Sequence, residues 1–160
     1  MVEQKYNKNF LRKICISLAT LLGLGFVPFL GGTVGSLAGV LLFLVLGNTL
    51  FFFITTIVIL LLSFPISSFA ERIFQEKDAS EIIIDDFSGM LISLLFIPHQ
   101  PKFITLAFIL FRMFDFLKVF PANRIEKMKG GIGIVGDDVV AGIYTNLILQ
   151  FLRYILKISS

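Results

Sequence analysis

The chain has no tryptophan, a single cysteine, a single histidine and only 16% charged residues. With Cys15 alone, no internal disulfide and no cysteine-based zinc site is available, and the compartment's redox state stays undetermined. Cys15 reads as a small apolar filler, and the preceding "LRKI" is not a lipoprotein processing site. His99 stands among prolines in "PHQPK", a turn context that suits a surface residue better than a general base. No serine or tyrosine shows a paired base, so a serine nucleophile has no support. The net charge of +3 is modest, and the cations gather near the ends of apolar segments, where they meet anionic headgroups. Nothing here favours a nucleic-acid partner.

What is abundant is apolar surface: 56% hydrophobic residues, including 19 Phe. From Ile14 to Ala70 there is no charged residue, while a helix needs only about 20 residues to cross a bilayer. This run suffices for two passes. The composition predicts one membrane domain over residues 1–160, all-α, an integral membrane protein of four to six helices. Lys5, Lys8, Arg12 and Lys13 precede the first apolar segment, and no small-x-small cleavage site follows. That segment is expected to stay as an anchor, with its N-terminus in the cytoplasm.

The first helix is expected to break near Pro28, Gly31 and Gly32. The run Thr33 to Phe64 is too long for one straight span, so an interruption is expected at Gly47 and Asn48 and an end at Pro65. An apolar helix is expected to resume in "IIIDDFSGMLISLLFI", and another in "FITLAFILFRMFDFLKVF" up to Phe120. "PANRIEKMKGGIGIVG" reads as a loop, and "DDVVAGIYTNLILQFLRYILKI" as a final helix.

Ten of the eleven acidic residues lie between Glu71 and Asp138, beside or inside apolar helices. Desolvating a carboxylate is costly unless it is paired or bound to a cation. If "DASEIIIDD" is helical, Asp78, Glu81 and Asp85 share a face with Asp86 about 100° around, and a divalent cation would relieve their repulsion. The plainer reading of Asp85 and Asp86 is that of helix N-terminal acids facing water. In "FRMFDFLK", Arg112, Asp115 and Lys118 recur every three residues. They form either a self-neutralising ion-pair ladder or two cations with donors to spare for a phosphate. In "GGIGIVGDD", the glycines permit close backbone approach, with Asp137 and Asp138 either at a site or capping a helix. In "GGTVGSLAG", Gly32, Gly35 and Gly39 suit close helix packing, and Thr33 and Ser36 offer hydroxyls that could reach a phosphate.

Together, "GGTVGSLAG", "KDASEIIIDDFSGMLI", "FRMFDFLKVFP" and "GGIGIVGDDVVAGI", in that order, resemble the phosphatidylglycerophosphatase A family of bacterial membrane lipid phosphatases. The resemblance spans about Gly23 to Gly142. It implies Mg²⁺-dependent removal of the terminal phosphate from the membrane phospholipid phosphatidylglycerophosphate, at the cytoplasmic face of the inner membrane. On that reading Asp85, Asp137 and Asp138 are metal ligands, Asp78 and Asp86 are further members of the metal site, Asp115 stands beside it, and Arg112 and Lys118 hold phosphate. Two departures stand out: the family usually reads Asp-Glu where this chain has Asp85 and Asp86, and Pro-Gly-Thr at Gly31 to Thr33. Phosphomonoester hydrolysis suits these residue types, since it needs charge neutralisation and an activated water but no obligatory covalent nucleophile. A rival reading, a small transporter or channel component with Arg112 and Asp115 on an ion path, predicts no phosphate release.

Overall fold

The computed structural model describes residues 2–27 and 30–156, with side chains from residue 10 onward. Pro28 and the side chains of Lys5 and Lys8 lie outside the described residues. Within them all regular structure is helical: α1 (Val2–Ala19), a 3₁₀ turn (Leu24–Phe26), α2 (Gly31–Leu46), α3 (Leu50–Phe74), α4 (Ile84–Ser93), α5 (Pro101–Leu117), α6 (Ala122–Ile125) and α7 (Gly131–Ile155). The all-α expectation holds. The count of seven α-helices exceeds the expected four to six, partly because the four-residue α6 interrupts what reads as loop.

The break between α2 and α3 falls where expected. Gly47 takes φ +61°, and Thr49 caps α3 by accepting a hydrogen bond from the Phe52 N–H at 3.2 Å. Pro65, however, does not end α3. The helix continues to Phe74 and closes at Gln75 in the left-handed region, with the proline on an exposed position. A proline removes one backbone hydrogen bond, and a long helix held by its neighbours tolerates that loss.

The segment 78–83 also departs from expectation. It forms turns, with Asp78 at φ +54°, so Asp78 and Glu81 do not share a helix face with Asp85. Helix α4 is thus only ten residues long, ends at Ser93 rather than Ile97, and is too short to cross a bilayer. At the other end of the chain, "GGIGIVG" is not a loop: α7 starts at Gly131, which places Asp137 and Asp138 in its second turn instead of at its cap. The Gly131 N–H donates to Ser68 Oγ at 2.6 Å, so a residue of α3 takes the place of an N-cap side chain. Ser68→Ala is expected to lower stability by about 1 kcal/mol, the usual cost of a lost cap. Thermal unfolding in detergent would measure it, and no change would mean that water satisfies the amide.

Helix α4 sits at the centre, packed against α2, α3, α5 and α7. Eight of its ten residues are buried. Such close packing needs small residues at the crossings. A Cβ on Gly39 would stand 3.0 Å from Met90 Cβ, and one on Gly89 would stand 2.7 Å from the Phe111 ring and 2.8 Å from the Asp138 carbonyl oxygen. Because α4 stops inside the protein, the carbonyls at its end and in the turn that follows need donors. Helix α7 supplies them: Asn146 Nδ2 donates to the carbonyls of Ser93 (3.2 Å) and Leu95 (2.7 Å), Gln150 Nε2 to Leu95 (3.2 Å), and Arg153 Nη1 to Phe96 (2.9 Å). These three α7 residues fall on one face at i, i+4 and i+7.

The outer surface is apolar. Leu50, Phe51, Leu61 and Leu62 of α3 and Leu147 and Phe151 of α7 are all exposed. These two helices, 25 residues each, are long and apolar enough to cross a membrane.

Candidate active site

One end of the bundle gathers the 3₁₀ turn, the start of α2, the turns at 78–83, the first turn of α4, the end of α5 and the second turn of α7. They enclose a cavity of about 590 Å³. Asp78, Asp85, Asp86, Arg112, Asp115, Lys118, Asp137 and Asp138 all line it, so four separate sequence motifs meet at one place.

Local structure explains how. Asp85 and Asp86 occupy the first turn of α4, where the helix dipole favours acids. Gly32 leaves room for one of them, since a Cβ there would come within 2.6 Å of Asp86 Oδ2. The glycines at the start of α7 let that helix run close past the Phe64 carbonyl of α3 and the Met128 carbonyl, carrying Asp137 and Asp138 inward. Lys118 is the left-handed C-cap of α5, at φ +46°, and from there its side chain faces α7.

The carboxylates are not equivalent. Asp85, Asp86 and Asp138 each bring one oxygen to within 4.8 Å of the others. Burial, then the neighbouring Asp86 and Asp78 charges, raise the Asp85 pKa well above the ordinary carboxylate range. Burial pushes Asp86 up to about 7, although the Arg112 cation opposes this. Oδ1 of Asp85 and Oδ1 of Asp138 are buried with no hydrogen-bond partner. Three crowded carboxylates, two of them with an orphaned oxygen, form a hard-oxygen donor set that fits a divalent cation, which would supply the missing partner and charge. Asp137 and Asp78, also expected at the metal, lie on the cavity wall but outside this trio. Asp137 is engaged by Lys118, and Asp78 is exposed. Asp86, whose shorter side chain stands where the family usually has Glu, belongs to the trio.

Two cations face the cluster. Arg112 pairs with Asp86 and stands 3.0 Å from Asp115 Oδ2. Lys118 pairs with Asp137 and stands 4.0 Å from Asp115 Oδ1 and 3.9 Å from Glu126 Oε1. Partial burial works against the Lys118 charge, but the bond to Asp137 and the Asp115 charge outweigh it and raise its pKa. The ion-pair ladder read from "FRMFDFLK" therefore exists, yet it is not self-contained: one end reaches α4 and the other α7. Glu126 was missed by sequence reasoning, hidden in a segment that reads as basic loop.

Thr33 and Ser36 do not reach the cavity wall. Thr33 is half-buried on α2. Ser36 is buried, donates to the Gly32 carbonyl at 2.9 Å, and accepts from Arg112 Nη1 at 3.4 Å. Ser36 thus steadies the guanidinium and offers nothing directly to a ligand.

Residues 17–153 match the family model of phosphatidylglycerophosphatase A. The chain is similar to the phosphatidylglycerophosphatase A of Haemophilus influenzae, 37% identical over 142 residues covering 86% of this chain and 87% of the relative. It is similar to that of Escherichia coli, 31% identical over 142 residues covering 86% and 82%. It is also similar to a Bacteroides thetaiotaomicron protein provisionally described as a phosphatidylinositol-3-phosphatase, 30% identical over 150 residues covering 88% and 94%. No solved structure matches. With a match running from α1 into the last turn of α7 and a buried carboxylate cluster beside two cations, the chain belongs to the phosphatidylglycerophosphatase A family and is a phosphatase.

Proposed function

We propose that the chain hydrolyses phosphatidylglycerophosphate to phosphatidylglycerol and inorganic phosphate in phospholipid biosynthesis, with Mg²⁺ held by Asp85, Asp86 and Asp138. The observation that carries this reading is the meeting of the carboxylate trio with Arg112 and Lys118 in one cavity. When bound, a divalent cation neutralises phosphate charge and acidifies a coordinated water. Arg112 and Lys118 hold the nonbridging oxygens of the phosphate, the guanidinium in a bidentate fork and the ammonium as a point charge. Asp115, between them, keeps both cations aimed at the cavity when they exchange a carboxylate for the phosphate. Asp137 Oδ1 is buried without a partner and is placed to accept a proton from the attacking water.

The protein is membrane-associated, and we place it as a multi-pass protein of the bacterial inner membrane with this cavity on the cytoplasmic side. Leaving α1 aside, Arg72, Lys77, Arg124, Lys127 and Lys129 lie toward the cavity end of the bundle, against Lys102 and Arg153 toward the other. That asymmetry is the one the positive-inside rule assigns to the cytoplasm.

A second substrate, phosphatidylinositol 3-phosphate, is favoured by the Bacteroides relative, which aligns over nearly its full length. Phosphate release from each lipid in detergent micelles, with Mg²⁺ and then with excess chelator, tests both. Release from phosphatidylglycerophosphate that chelator abolishes and Mg²⁺ restores is the expected result. Release from the inositol lipid alone would replace the substrate, and release indifferent to chelator would remove the metal from the reading.

A further inference from the structure

Between α5 and α7 the chain turns its apolar side chains outward. Phe116 is 85% exposed, Leu117 57%, Phe120 58% and Met128 48%. Several large apolar side chains exposed within one short stretch beside the cavity suit a contact face. Cations are set among these residues: the Arg124 guanidinium lies 5.1 Å over the Phe120 ring, and Lys127 and Lys129 are exposed. Glu126, the one acid of this stretch after Asp115, stands 3.9 Å from Lys118 and is partly exposed, so against the exposed Arg124, Lys127 and Lys129 the outward charge is net positive.

Aromatic and aliphatic side chains interleaved with cations suit the headgroup zone of an anionic bilayer, where the apolar groups enter the acyl boundary and the cations stay at the phosphates. We infer that residues 116–129 form a docking surface for anionic phospholipid that seats the mouth of the cavity at headgroup depth. The placement has a direct consequence, because Lys118 belongs to the same stretch but faces the cavity: docking the outward residues fixes the depth at which Lys118 meets a lipid phosphate. This inference is independent of which lipid is the substrate.

The test uses the full chain in a Cys15→Ser background, with Phe116→Cys carrying an environment-sensitive fluorophore. Met128→Cys serves as the second site should the first variant fail to fold. The protein is reconstituted in phosphatidylcholine vesicles with or without phosphatidylglycerol, and quenching by lipids bearing a nitroxide near the headgroup is recorded. Expected are blue-shifted emission and quenching at least twofold stronger with phosphatidylglycerol, a difference that Arg124→Gln, Lys127→Gln and Lys129→Gln together abolish. Emission typical of water without quenching would overturn the inference. So would blue-shifted emission that no lipid quencher reaches, which would mean a protein partner covers the face. Quenching indifferent to phosphatidylglycerol would overturn the anionic selectivity on which it is argued.

Discussion

Asp85→Asn is expected to lower phosphate release on the order of a hundred- to a thousandfold, the usual scale for removing one electrostatic contact in a preorganised site. The reasoning rests on burial and an orphaned oxygen. Asp85 is 5% exposed, and its Oδ1 has no protein partner, so its charge is justified only by something the cavity binds. An amide of the same shape leaves the helix intact but weakens the trio's hold on a cation. The variant therefore separates catalysis from folding. In the wild-type protein a cation at a hundred times its Kd adds about 2.7 kcal/mol of stability, which corresponds to a rise of roughly 5–10 °C in Tm at this size. That rise should shrink sharply or vanish in Asp85→Asn. Thermal unfolding with and without Mg²⁺, run beside the phosphate assay, reads both effects. Wild-type turnover, or an undiminished Mg²⁺ shift, would remove Asp85 from the metal site.

Gly142→Val should be the most damaging substitution away from the cavity. A Cβ at this position would lie 2.5 Å from the Gly89 carbonyl oxygen and 3.2 Å from Ile92 Cβ, at the crossing of α7 with α4. Backbone cannot step aside as the tip of a side chain can. Overpacking of this kind costs about 1–3 kcal/mol and occasionally more, and here it would push apart the two helices that carry Asp85, Asp86 and Asp138. Gly142 lies one turn beyond Asp138 on the same face, so the strain is transmitted directly to the trio. Loss of stability and loss of activity are expected together. Gly47→Asn is the contrasting variant: a Cβ there meets nothing within 4 Å, but φ +61° with ψ −168° is a region that glycine alone adopts readily, so some stability should be lost at this distant turn while the folded protein keeps its turnover. Full activity in Gly142→Val would show that α4 and α7 can separate without disturbing the cluster.

The helical class and the break at Gly47 and Asn48 were legible because long apolar runs and a Gly-Asn step leave few alternatives. The candidate residues that gather at the cavity were legible because acids and cations inside apolar helices need a reason to be there. What could not be read was register. Nothing local to "DASEIIIDD" shows that Asp78 adopts a positive φ and keeps the next five residues out of the helix. Asp tolerates that conformation without announcing it. The same limit hid the start of α7, where the six residues from Gly131 to Gly136 read as loop but are helical because Ser68 and the α3 backbone hold them. Pro65 misled for the opposite reason, since a strong local helix breaker was overridden by packing. Ser36 was assigned the wrong partner because spacing alone cannot tell a hydroxyl facing a ligand from one bracing Arg112 seventy-six residues away.

The dependence of α4 on α7 also bears on the order in which the protein is made. A growing chain delivers α2 through α5 before any of α7, and until α7 arrives the carbonyls at the end of α4 lack Asn146, Gln150 and Arg153, while Asp85 and Asp86 lack Asp138. A nascent chain halted near Lys129 would thus contain most of the bundle yet be neither closed nor able to hold a cation. The last of the three clustered carboxylates and the donors to the turn after α4 thus come into place together, with the arrival of α7.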